Sequence, residues 1–384
     1  MQKTRPIDPR WAWQRYQPTD ASPWDVKKAG HLYRRAAFGA THPDLEEALK
    51  AGPERTIDKL VAGAPDRDGF LEASAERLPS IRQANSSDSA SAWWLYRMLY
   101  TPHPLREKLT LFWHNHFATS NRTVNNVGYM LDQYELMRRH AQGSFRTLLR
   151  EMSTDKAMMI WLNTVDNRRD HPNENYAREL MELFSLGINN ARRPAERNYT
   201  EQDIRQAARA FTGWRIDNGR AVFRDADHDN SEKTVLGQTG RWRADDIVRI
   251  CLEQESAPYF VVGKLFKFLV SETIPATAEL LEPLATRFRE SDYNFDELVE
   301  TVLRSNLFFG PEAYRSKVKA PVDFALGILR GLEGRVGTLQ LVNLLEGLGQ
   351  RPFYPPNVAG WPGGRAWLNG QTLLFRQNLS LALT

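Results

Sequence analysis

A single cysteine, Cys251, among 384 residues excludes an internal disulfide and any thiolate metal cluster. It lies in an apolar stretch with Ile247, Val248, Ile250 and Leu252, where a small buried hydrophobe is the expected role. Long hydrophobic runs are missing too: no window reaches the ~18 uninterrupted apolar residues of a spanning helix, so no membrane span is expected. The opening stretch MQKTRPIDPRWAWQRYQ lacks the apolar core of a secretion signal, which predicts a cytoplasmic chain. Excess charge is scarce, with 51 Lys plus Arg against 47 Asp plus Glu, a formal +4. The doublets Arg34-Arg35, Arg138-Arg139, Arg168-Arg169 and Arg192-Arg193 are scattered, so they read as solvated helix faces and no nucleic-acid partner is expected. H-E-x-x-H, G-x-S-x-G, a Walker loop, a dinucleotide-binding glycine pattern and C-x-x-C are all absent, which sets aside most hydrolases and nucleotide enzymes of familiar class.

What is present is the composition of a folded chain: 41% hydrophobic, 26% charged and 11% aromatic. At about 150 residues per domain the length allows two or three domain-equivalents, or one large helical body. Helix signals dominate. Ser22-Pro23-Trp24-Asp25 and Thr200-Glu201-Gln202-Asp203 read as capping boxes. Apolar residues recur with a 3.6-residue period over 43–64, 88–99, 104–118, 123–141, 144–152, 173–186, 243–270, 277–304, 321–332 and 338–348. The fold class is therefore mainly α: a multi-helix globular body with a short β-hairpin insertion near 215–242 and a long Pro/Gly/Trp loop near 349–370. In the insertion, residues 220–224 and 233–236 are expected to pair. Residues 1–22 read as an extension and 23–384 as one large helical domain, with 23–85 as an N-terminal helical subdomain and 85–91 (NSSDSAS) as a flexible link.

Three polar clusters carry the candidate chemistry. In Phe112-Trp113-His114-Asn115-His116-Phe117, at 100° per residue, His116 falls on the stripe of Leu105, Leu109 and Phe112, while His114 shares the other face with Glu107. Two histidines in three residues are candidate metal ligands that diverge in an intact helix. In 172–184 the stripe Ala177, Leu180, Met181 and Phe184 packs, leaving Glu179 and Glu182 as an i, i+3 carboxylate pair beside Glu174 and Arg178. The bland counterpart is a polar face with a Glu174 to Arg178 ion pair. In 224–234, Asp225, Asp227 and Asp229 alternate beside His228 and Lys233, a candidate oxygen site for a hard cation or a solvated acidic turn. The catalytic candidates are thus Glu174, Arg178, Glu179, Glu182 and Lys233, and the metal candidates His114, His116, His228 and Asp229.

These segments resemble a known family. HLYRRAAFG at 31–39, REKLTLFWHNHFATS at 106–120, PNENYARELMELFSLG at 172–187, AARAFTGW at 207–214, His228-Asp229 with Lys233-Thr234 and Leu236-Gly237, and PPNVAGWPGG at 355–364 are similar to the signature stretches of the bacterial domain-of-unknown-function family 1800. The likeness runs from about residue 30 to 380. It implies frequent export, from which the leaderless opening departs, and a partner from the uncharacterised family 1501, which resembles sulfatases and alkaline phosphatases. It carries over no catalytic residue.

Two functional readings follow. One is a hydrolase, metal-assisted through a divalent ion or acid/base, in which the three clusters surround one cleft with residues 349–370 as its wall or lid and a phosphate, sulfate or glycosidic ester is cleaved. The other is a non-catalytic module for a protein or carbohydrate partner, whose polar clusters are hydrogen-bond networks. Eleven tryptophans favour sugar stacking where exposed and plain packing where buried.

Overall fold

Helix ends are set by side chains that satisfy orphaned amides. Thr200 and Asp203 form the expected capping box of Glu201–Ala210. The first long helix, Val26–Ala36, starts a turn later than expected, because Asp25 accepts from Lys28 N at 3.0 Å while Ser22 exchanges backbone hydrogen bonds with Thr19. The computed structural model describes residues 7–383, so the first six residues of the expected extension lie outside the described ones.

The mainly α architecture holds across the chain. Besides 43–64, which kinks at Gly52, and 123–141, which breaks at Asn125, two further expected helices are each divided. Residues 243–270 form Ala244–Glu253 and Ser256–Leu269, separated where Gln254 turns extended. Residues 277–304 form Ala278–Glu290 and Phe295–Leu303, because Asp292 and Tyr293 adopt left-handed backbone at φ 52° and 64°. Tyr293 is buried and its hydroxyl donates to the Leu252 carbonyl, so packing compensates the strained turn. The apolar period runs through both breaks, which hid them. Nor is the serine-rich stretch at 85–91 a flexible link: Asn85 closes one helix at φ 47° and Ser86 caps Ser87–Tyr100.

The two strands expected to pair with one another instead each take a neighbour. Trp214–Asp217 pairs with Arg220–Phe223 around Asn218-Gly219, and Lys233–Val235 with Gln238–Gly240 around Leu236-Gly237. All four turn residues have positive φ, the geometry that closes a two-residue hairpin.

Buried apolar residues form two clusters, and the helix Pro104–His116 runs between them. Leu105, Leu109, Phe112 and Trp113 join the first, with Leu32, Tyr33, Ile57, Phe184 and Leu265. Leu111 joins the second, with Trp94, Met98, Tyr134, Leu326, Leu345 and Phe353. Segment 23–85 contributes to both, through Leu32 and Ile57 on one side and Ile81 on the other.

On the second face of that helix lies Glu107, whose side chain is fully buried. A buried carboxylate needs donors on both oxygens. It has them: Trp94 Nε1 at 3.1 Å, Arg97 Nε at 3.2 Å, Arg138 Nε at 3.1 Å and the Tyr134 hydroxyl at 2.9 Å. Glu107→Gln would leave buried guanidinium charge short of its counter-ion, and urea unfolding should show a loss of about 3–5 kcal/mol with an unchanged m-value.

Candidate active site

The expected helix over 173–186 begins as Asn175–Glu179 and then widens into a π-helix, Leu180–Ser185. A π-turn carries one extra residue per hydrogen-bonded ring and tends to occur at functional sites. Ser185 Oγ reaches back to the Leu180 carbonyl, and the amides of Leu186 and Gly187 both go to the Met181 carbonyl at 3.0 Å. The carbonyls of Leu183 and Phe184 accept from side chains outside the helix. Lys264 Nζ donates to Leu183 O at 2.7 Å, and His116 Nε2 donates to Phe184 O at 3.0 Å. With Nε2 carrying the hydrogen, His116 Nδ1 accepts from Lys264 Nζ at 3.3 Å.

Both side chains line a cavity of about 510 Å³. It is lined by Leu111, Phe112 and Phe268, by Lys267 and Lys317, and by Trp361, Pro362, Gly363, Gly364 and Trp367 from the long loop. Two acids enter: Glu272 holds Lys317 Nζ at 2.9 Å, and Asp323 is bonded to the buried Lys108. Lys264 and Lys267 have no carboxylate partner among the described residues. Burial, helped by the Lys267 charge, pushes the Lys264 ammonium down to about 7. Burial outweighs Glu272 at Lys317 and brings it to about 8. His116 is held well below its ordinary value by burial and by Lys264. A neutral imidazole thus adjoins an amine that is half-protonated near neutrality, the condition in which a proton moves most readily.

The loop wall is fixed by the same helix turn. Asn115 Oδ1 accepts from Trp361 N at 2.7 Å, and His114 Nε2 accepts from Phe353 N at 3.1 Å. His114 is wedged among the rings of Trp94, Phe353 and Trp361, and burial brings it down to about 3, so it stays neutral. Its Nδ1 has no partner among the described residues. Gly360 sits at φ 80°, where a Cβ would fall 2.4 Å from Asn115 Oδ1 and 2.6 Å from its carbonyl.

The clusters expected to surround one cleft do not do so. His114 and His116 diverge as the 100° spacing requires, and only His116 lines the cavity. Glu179 and Glu182 are neighbours, since burial and the Glu182 charge raise Glu179, but neither lines the cavity. Glu182 accepts from the Tyr199 hydroxyl at 3.0 Å. Arg178 pairs with Glu174 at 3.0 Å, as its spacing indicated, and with Glu201 at 2.7 Å. The three aspartates do not form the shared side of a strand, because 225–227 is a 3-10 turn. Each binds its own arginine: Asp225 with Arg243, Asp227 with Arg215, and Asp229 with Arg209. His228 Nδ1 donates to the Thr212 carbonyl at 2.9 Å. Lys233 ties the carbonyls of Asp229 and Ser231. Among the described residues no three His, Cys, Asp or Glu side chains converge as a metal set, so His114, His116, His228 and Asp229 do not form the divalent site expected of them. Each is held by its own neighbours.

The residues that the sequence reading missed are Lys264, Lys267, Lys317, Glu272 and Asp323. A signal existed for two of them: lysines three apart within the otherwise apolar YFVVGKLFKFL of Ser256–Leu269. A charge inside a buried helix demands a reason.

Fold and site define a mainly helical protein with a lysine-rich, indole-walled cleft. The chain belongs to the family described as Protein of unknown function (DUF1800), whose model matches residues 31–384. No curated protein and no solved structure matches it.

Two measurements test this geometry. Gly360→Ala should lower stability by about 1–3 kcal/mol in thermal unfolding, because the left-handed backbone and the Asn115 contact both oppose a Cβ. Lys264 at about 7 lies below its ordinary 10.5, so between those values the unfolded chain binds more protons and stability rises with pH. The difference in unfolding free energy between wild type and Lys264→Met should therefore move toward wild type from pH 7 to 10; a flat difference would contradict the depressed ammonium.

Proposed function

We propose that this protein is an acid–base hydrolase of an anionic ester, a phosphate or a sulfate, seated in the lysine-rich cleft. The observation that carries the reading is Lys264: an amine brought near neutrality by burial, hydrogen-bonded to a neutral His116, and facing a cavity whose two carboxylates, Glu272 and Asp323, are paired with other lysines. Lys267 and Lys317 supply positive potential for the ester oxygens, which is worth more in a half-closed cavity than in water. Neutral Lys264 would take a proton from the attacking water, and His116 with the Leu183 and Phe184 carbonyls keeps the amine in place. The indoles of Trp361 and Trp367 give the leaving group a flat wall. A partner of the sulfatase-like family 1501 would suit the same ester chemistry.

The second reading is a binding module for an anionic polysaccharide or a protein partner, with the same lysines holding the ligand and no turnover. The saturation of the second and third polar clusters favours it, as does the burial of Trp93, Trp94 and Trp113 in packing roles. Hydrolysis of p-nitrophenyl phosphate and p-nitrophenyl sulfate, run beside calorimetric binding of the same esters, separates the two. The enzyme reading expects turnover that rises through about pH 7 and falls at least ~100-fold in Lys264→Met, while Glu179→Gln keeps it. Saturable binding without turnover selects the module, and neither binding nor turnover removes both.

A further inference from the structure

The cleft shares Lys317, Val318 and Asp323 with a second, smaller cavity of about 130 Å³. One side is the end of Val26–Ala36 and the turn after it, with His31, Arg34, Arg35 and Gly39; the other is the segment from Arg315 to Lys319. The floor is closed by backbone, since a Cβ on Gly39 would lie 3.1 Å from Gly327 Cα. Five cations meet here: Arg34, Arg35, Arg315, Lys317 and Lys319. The one acid in the wall, Asp323, is already taken by Lys108. Glu272 reaches Lys317 from the far side but does not line this pocket.

Two buried atoms in this wall have no hydrogen-bond partner among the described residues: Arg35 Nε, a donor, and His31 Nε2. His31 is 3% exposed, set against the rings of Phe308 and Tyr314, and its ring hydrogen-bonds the Phe308 backbone. An unsatisfied buried donor and acceptor each carry a desolvation cost that a fitting ligand removes. Convergent guanidinium groups repel one another, and their planar forks match a tetrahedral oxyanion. The volume equals roughly four waters at ~30 Å³ each, space for one such group with a bridging water.

We propose that this small pocket is an oxyanion subsite that seats a phosphate group, with Arg34, Arg35 and Arg315 on its oxygens and His31 Nε2 accepting the P–OH hydrogen of the hydrogen phosphate dianion. The inference stands without any turnover in the larger cleft. Because Lys317 borders both cavities, a ligand with two anionic groups could occupy them together. Sulfate has the charge and shape of the hydrogen phosphate dianion but no hydrogen for His31, so phosphate should bind more tightly.

The test is calorimetric titration of the full chain with inorganic phosphate and, separately, with sulfate, at ionic strength fixed by chloride. Saturable one-to-one binding of phosphate is expected, weaker for sulfate. Arg34→Gln and Arg315→Gln should each weaken it about tenfold or more, as loss of a charged hydrogen bond implies. Lys50→Gln, which lines neither cavity, should leave it within about twofold. Since Arg35 also bonds the Ala313 carbonyl, Arg35→Gln is read through phosphate-induced thermal stabilisation, which should vanish even where the variant melts earlier. No saturable phosphate heat, affinity lost in Lys50→Gln but kept in Arg34→Gln, or sulfate binding as tightly as phosphate would overturn the assignment. Hydrolysis lost in Lys264→Met bears on the cleft alone, so the two readings fail separately.

Discussion

The buried carboxylate of Glu107 draws Trp94, Arg97, Tyr134 and Arg138 from two other helices onto one point of Pro104–His116. An ion in an apolar interior is tolerable only when its oxygens are filled, so those helices have little freedom to slide. The last turn of the held helix then aims three successive residues at three different parts of the chain. His114 meets the backbone of Phe353, Asn115 that of Trp361, and His116 the carbonyl of Phe184. One turn thus ties the second core, the long loop and the π-helix together, and the cavity is the space left among them.

The electrostatics of that space oppose those of Glu107. There, charge is buried and paired. Around the cleft, Lys264 is half-buried without a counter-ion, and its ammonium is correspondingly weakened. Stability alone would favour a neutral side chain at this position. The backbone carbonyl of Leu183 offsets part of the cost, helped by its place near a helix end where dipoles point negative charge outward.

Much of the fold was legible. Helical periodicity located nearly every long helix, and Asn218-Gly219 is the short-range hairpin signal that local pairing followed. What escaped were interruptions that preserve the period, such as the Asp292-Tyr293 turn, since apolar spacing continues through them. At the site, 100° geometry separated His114 from His116 correctly. The wrong step was to equate dense polar residues with a shared cavity: Asp225, Asp227 and Asp229 each neutralise a different arginine. The cavity's own charges come from Lys264, Lys267 and Lys317, which are sparse in sequence and cancel within a net +4, so composition could not reveal them. The long aromatic loop, by contrast, was legible as an ordered irregular segment, because a run of proline, glycine and tryptophan must be ordered by packing rather than by its own hydrogen bonds.

The π-turn at Leu180–Ser185 makes the site depend on residue count as well as residue type. The surplus residue that widens the turn sets the rotational phase of everything after it. A deletion there would tighten the coil and swing the Leu183 and Phe184 carbonyls by about 100° away from Lys264 and His116. Most exchanges of one side chain for another would leave that phase alone. Lineages carrying this cleft would therefore accept changes of spelling in the segment far more readily than changes of its length.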